Sequence, residues 1–195
     1  MRIFIAALVF IFSLQSWTKA DDIRDFEIEG MSIGDSLLDH FSEEEILSKK
    51  KNWFKSNKFS VAAGMVLPSF EIYDSVQIGY KIKDKKFLIG GLEGYIFFSG
   101  DNKNIKNCYK KQNEIIDEIS NLFPNAKKGE KKTFKHPAPD NENMITNISF
   151  YFDHSDIYGD KVMLACTDRK DVDYNNLIVI LRSESYSKFL KYEAY

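Results

Sequence analysis

A serine tetrapeptide, an acidic cluster, three histidines and two cysteines are where this chain of 195 residues could do chemistry. Gly34-Asp35-Ser36-Leu37 offers a serine beside an acid, but a serine nucleophile needs a base within hydrogen-bond reach. Asp153, His154, Asp156 and Asp160 bring oxygen and nitrogen ligands close together in sequence. A calcium loop takes oxygens at alternate positions with glycine at the sixth, whereas Ile157 and Tyr158 hold the fifth and sixth places counted from Asp153. Polar turn formers of a hairpin account for the same residues, and Asp168, Asp171 and Asp173 read likewise. His40, His136 and His154 are scattered, none with a second histidine at ligand spacing, and surface positions are expected for them. Cys108 and Cys166 form neither a CxxC redox pair nor a zinc framework.

Gly34-Asp35-Ser36-Leu37 is the tetrapeptide that names the GDSL hydrolases. In that family the serine directly follows a buried strand, whereas Phe26-Glu27-Ile28-Glu29-Gly30 alternates and then breaks at glycine. The family's catalytic histidine stands three residues after an aspartate; here Leu37, Thr133 and Tyr151 stand three before His40, His136 and His154. A helix start explains the segment better. Ser32 and Asp35 have the spacing of a capping box, and Ile33, Leu37, Leu38 and Phe41 have that of an apolar helical stripe. Ser36 is therefore predicted to be a helix residue and not a nucleophile. No residue is assigned as catalytic, cofactor-binding or metal-binding, and no cofactor is expected.

The N-terminus carries an address. Met1-Arg2, an apolar run over residues 3–17 and the small residues of Thr18-Lys19-Ala20 make residues 1–20 a secretory signal peptide cut near Ala20. The run falls short of the roughly 20 apolar residues of a spanning helix, which sets cleavage above an uncleaved anchor, and no cysteine near the cut can carry a lipid. Residues 21–195 should form a single exported domain, periplasmic or secreted, with no stable membrane anchor. Loss of Arg2 and Lys19 leaves 25 basic against 29 acidic side chains, a balance of −4 that supplies no basic field for nucleic acid. The clusters Lys49-Lys50-Lys51, Lys127-Lys128 and Lys131-Lys132 are expected to be solvated turns. In an exported chain pairing of Cys108 with Cys166 is the default, two buried free thiols being the alternative.

Periodicity sets the elements. Capping boxes at Ser32 to Asp35 and Ser42 to Glu45 predict two short opening helices, the second with Phe41 and Ile46 as a hydrophobic staple. Strands are predicted over residues 61–67, from residue 72 through Val76, Ile78, Tyr80 and Ile82, and over residues 87–98, where Gly90-Gly91 and Gly94 suggest a bulge or a close backbone approach. Ile105, Cys108, Gln112, Ile115, Ile116, Ile119, Leu122 and Phe123 fall at helical spacing, and Pro124 ends that run. A lysine-rich loop over 125–143 comes next, with a short strand near Thr133. The alternating sets Ile148, Phe150, Phe152 and Val162, Leu164, Cys166 form a hairpin; Leu177 to Leu181 reads as a central strand, and a last short helix lies near Tyr186. Cys108 shares its helical face with Ile105, Gln112 and Ile115, and Cys166 its strand face with Val162 and Leu164, so both should enter the layer between helix and sheet and form a disulfide. The class is α+β, a mostly antiparallel sheet with two short N-terminal helices and one longer helix packed on it.

The stretch from Phe26 to Leu38 resembles the opening of small uncharacterised exported proteins of marine alphaproteobacteria. Its Gly30-Met31 lead-in is also similar to that of the outer-membrane assembly lipoproteins of the BamE and SmpA type, over about one tenth of the chain. That likeness implies an envelope setting and a function in binding other proteins. Tyr95 and Phe97 face one way on their strand and Ile96 and Phe98 the other, so both sheet faces must be covered or bind something. The expected function is a non-catalytic exported protein that binds another envelope protein or a small ligand. An envelope hydrolase with an unrecognised active site is the alternative.

Overall fold

Alternating apolar residues bring nearly every extended segment of the chain into one layer. The computed structural model describes residues 22–138, 141–152 and 158–195; the expected signal peptide and most of the turn from Asp153 lie outside them. Among the described residues nine strands form one sheet: β1 (Lys50–Lys51), β2 (Phe59–Met65), β3 (Ser75–Lys81), β4 (Ile89–Ser99), β5 (Lys127–Lys128), β6 (Lys132–Lys135), β7 (Met144–Tyr151), β8 (Lys161–Asp168) and β9 (Tyr174–Arg182). Their order is β1-β2-β3-β4-β9-β8-β7-β5, with β6 also on β7, and every pairing is antiparallel. Three α-helices, α1 (Glu43–Ser48), α2 (Ile105–Leu122) and α3 (Glu184–Tyr192), complete the α+β architecture.

One face of the sheet is sealed. Val76, Ile78 and Tyr80 of β3, Leu92 of β4, Leu177, Val179 and Leu181 of β9, and Val162 and Leu164 of β8 are all buried on it. The 22–41 segment and α2 cover this inner face. Cys108, Gln112, Ile115, Ile116 and Ile119 form the buried side of α2, and Phe123 closes its end by stacking on Phe26 and meeting Phe152 edge-on. Leu122, expected on that side, is instead 58% exposed. A six-residue stripe at three- and four-residue steps is enough to hold the helix down.

The opening differs from the expected pair of helices. Ser32 makes half of its capping box: its N–H donates to Asp35 Oδ2 at 2.7 Å, but its hydroxyl donates upstream to the carbonyls of Arg24 and Phe26, at 2.8 and 2.9 Å. Gly34 then adopts φ +95°, which no helix continues through. Beyond Gly34 the chain passes through an extended Ser36, bridged to Leu88, into a single 3-10 turn over Leu37–Asp39. Ile33, Leu37 and Phe41 are buried as their spacing suggested, whereas Leu38 is 39% exposed. The second start is a true cap. Ser42 Oγ accepts from the Glu45 N–H at 3.3 Å and Glu45 Oε2 accepts from the Ser42 N–H at 2.8 Å, with Phe41 and Ile46 buried beside them.

The lysine clusters also have a different setting. Lys50 and Lys51 are β1, Lys127 and Lys128 are β5, and Lys132 opens β6, so they lie on the two edges of the sheet and not in turns. Exposed lysines on edge strands repel a second chain that would otherwise pair there.

Candidate binding face

Among the described residues, the serine, histidines and acids singled out for chemistry do not gather into one site. Ser36 is an extended residue, not a helical one, and its hydroxyl donates to the Lys86 carbonyl at 2.9 Å. His40 follows the 3-10 turn, and His136 Nδ1 accepts from the Ala138 N–H at 3.2 Å on the far side of the chain. His154 lies outside the described residues. Asp168, Asp171 and Asp173 are paired in turn with Lys170, Arg169 and Lys103, which makes the 169–173 connection a charge-braced turn. The Arg169 guanidinium and the Asn143 amide hold the Asp171 carboxyl well below the usual carboxylate range. Asp160 Oδ1 accepts from the Glu184 N–H at the start of α3. Among the described residues no three histidine, cysteine or acidic side chains gather as a metal site.

Cys108 and Cys166 do meet. They form a disulfide between α2 and β8, with Cα atoms 5.9 Å apart and 58 positions between them in sequence. The bridge lies in the sealed layer, both residues being fully buried. One turn along α2, Gln112 donates from Nε2 to the carbonyls of Thr146 and Leu164, at 3.0 and 3.1 Å, a second attachment of helix to sheet that apolar periodicity alone did not indicate.

The outer face is built differently at its two ends. Over β2, β3 and β4 it is covered by α3, whose start is capped by Ser183. Tyr186 and Phe189 pack on Phe59 there, with Phe54 edge-on to Phe189. Three glycines make the landing possible. A Cβ at Gly79 or Gly91 would collide with the Tyr186 ring, and one at Gly90, the extra residue of a β-bulge, would sit 2.6 Å from Phe59.

Beyond α3 no described element covers the outer face. Tyr95 of β4 lies beside Ile178, Ala165 and Asn147 in one cross-strand row, and Phe97 beside Asn176, Thr167, Ile145 and Phe134 in the next. Phe97 and Phe134 are 39% and 41% exposed. Phe97 meets Tyr174 edge-on at 5.0 Å and Tyr95 at 6.2 Å, while the Arg169 guanidinium lies 5.1 Å over the Tyr174 ring. The result is a shelf of three rings and a guanidinium at one end of β4 and β9. Buried beside Phe97, Asn176 Oδ1 has no hydrogen-bond partner among the described residues.

A polar hub separates covered from open. Glu93 accepts from the Tyr95 hydroxyl at 2.8 Å and from Gln77 Nε2 at 3.0 Å, and pairs with Arg182 at 3.4 Å. Burial, reinforced by the Glu93 charge, pushes the phenols of Tyr95 and Tyr186 far up, so both stay neutral hydrogen-bonding groups at any physiological pH. With three donors on its two oxygens, Glu93 fixes the orientation of Tyr95 rather than standing free as a base.

Comparison with known protein families, curated proteins and solved structures finds no match to this chain.

Proposed function

We propose that this protein is a non-catalytic, exported binding protein whose open sheet face receives another protein of the cell envelope. The observation that carries the reading is the Tyr95, Phe97, Tyr174 and Arg169 shelf, which α3 does not cover. Tyrosine and arginine dominate the energetics of protein interfaces because they combine large contact area with a polar end. The shelf is a sheet surface and not a concave pocket, which favours a broad protein partner over a small molecule. Export follows from the basic start, apolar run and small residues before Asp21, and the Cys108–Cys166 disulfide suits an oxidising compartment. Among the described residues no helix is long and apolar enough to cross a membrane.

Two measurements test this. The mass of the protein recovered from cells should correspond to a chain beginning near Asp21; a product retaining residues 1–20 on a membrane would overturn the export assignment. A photo-crosslinking residue at position 97 should give one discrete adduct in intact cells, abolished by Tyr174→Asp, while the same probe at Lys110, on the solvent side of α2, gives none. Absence of an adduct at 97, or its persistence in the Tyr174→Asp background, would remove the shelf from the function.

A further inference from the structure

The mild net charge conceals a strongly basic end. Residues 49–58 contain five lysines and no acid, and residues 81–86 contain four lysines and one aspartate. Far apart in sequence, the two segments are neighbours in the sheet: Phe59 pairs with Lys81, and the Ile82 N–H donates to the Lys58 carbonyl at 3.2 Å. The chain end joins them through the Lys55 N–H to the Ala194 carbonyl, at 2.9 Å. Between them opens a cleft of about 480 Å³ lined by Ser56, Asn57, Lys58, Lys81 and Lys83 and by two acids, Asp84 and Glu193.

The two acids of this cleft are already engaged. Glu193 pairs with Lys58 at 3.0 Å, and Asp84 Oδ1 accepts from the Lys86 N–H at 2.9 Å, capping its own turn. Lys81, at the end of β3, and Lys83, in the turn that follows, have no acidic partner among the described residues and both line the cleft. Like charges this dense repel one another, and a concave wall focuses their field toward an incoming anion. Lysine acts on phosphate and sulfate as a point charge, and a serine hydroxyl and an asparagine amide add neutral donors beside it. The volume falls within the range of small-molecule sites.

We infer that this cleft binds a ligand presenting one or more phosphate or sulfate groups, held chiefly by Lys81 and Lys83. The same chemistry is offered by a free polyphosphorylated molecule and by a phosphorylated lipid headgroup. Binding to inorganic tripolyphosphate should be measured by calorimetry on the chain lacking residues 1–20, as exported. Vesicles of phosphatidylcholine with and without phosphatidic acid should be tested in parallel by flotation. Lys81→Gln with Lys83→Gln should weaken binding by about tenfold or more, since two charge-assisted contacts are lost. Lys127→Gln with Lys128→Gln removes equal charge from the opposite sheet edge and should change it less than about twofold. Tripolyphosphate binding without flotation identifies a free ligand, and flotation that depends on phosphatidic acid identifies a headgroup; either supports the cleft when only the first pair of substitutions abolishes it. Binding to neither probe, or equal loss in both double variants, would overturn the proposal.

Discussion

The two faces of the sheet are closed by different means. On the inner face, α2 is fixed at three levels: an apolar stripe, Gln112 donating into the β7 and β8 carbonyls, and the disulfide to β8. On the outer face, α3 is held by aromatic packing over three glycines and by its cap, and it covers only the end where those glycines lie. Where β4 carries Tyr95 and Phe97 in place of glycine, no helix can approach as closely, and the rings themselves become the surface. Closure on one side supplies stability; incomplete closure on the other leaves aromatic surface exposed, which is what the proposed binding role rests on.

Breaking the inner closure should have the largest effect. Replacing Cys108 and Cys166 together by alanine opens a long loop in the unfolded chain and should lower the unfolding free energy by about 4 kcal/mol in the chain-entropy account, read from the urea midpoint. The denatured, unreduced protein should show no free thiol. Next in size is the outer closure. Gly91→Val forces a branched side chain into the Tyr186 ring and should cost roughly 1 to 3 kcal/mol, with new protease cleavage in or near α3. If α3 stayed protected, the glycines would not be what seats it.

The N-terminal cover offers two smaller tests. Ser42→Ala removes the hydroxyl that accepts from the Glu45 N–H and should cost about 1 kcal/mol, whereas Ser36→Ala removes only a bond to a solvent-side carbonyl and should leave stability nearly unchanged. A fluorophosphonate probe should not label Ser36. Glu29 is tied to pH. Burial raises the pKa of its carboxyl, but the backbone amides of Tyr73, Ile72 and Glu71 outweigh it and hold the group below its ordinary value. A carboxyl whose pKa is lower in the folded chain stabilises fully above its unfolded value, about 4.3, and loses that contribution as pH falls through the folded value. Glu29→Gln should therefore be destabilised at pH 7, with its gap to the parent narrowing as pH falls below about 4, as compared by urea titration over that range.

Much of this architecture was legible because it rests on local repetition. The alternation of Val76, Ile78 and Tyr80, the eighteen-residue helix and the central strand at Leu177 to Leu181 follow from period alone, and the faces of Cys108 and Cys166 followed from the same periods. The misreadings share one cause, which is that a local pattern has a tertiary competitor. The Ser32 and Asp35 spacing is that of a cap, yet the hydroxyl finds the carbonyls of Arg24 and Phe26, and Gly34 takes a left-handed turn. Lysine runs look like solvated turns until pairing places them on sheet edges. The open shelf was half visible in the opposed facing of Tyr95 and Phe97 against Ile96 and Phe98. Tyr174 and Arg169 join it only through the β4 to β9 register, which no window of sequence contains. The basic end was invisible for the same reason, since summed charge averages over segments that the fold brings together.

The smallest expected change sharpens the comparison most. Phe97→Ser removes a large ring from the open face, where neighbouring strands and not a covering layer surround it, so no cavity forms and no buried polar group is created. The urea midpoint should correspond to a change within about 0.5 kcal/mol, while binding of a hydrophobic reporter dye falls because exposed aromatic area is lost. A loss comparable to that of Gly91→Val would mean that part of the chain itself lies over Phe97, and the outer face would then be as closed as the inner one. Unchanged stability together with failure of Phe97→Ser to co-purify the partner first identified by the position-97 crosslink would instead separate the two faces by role, since the same residue would then matter to binding and not to folding.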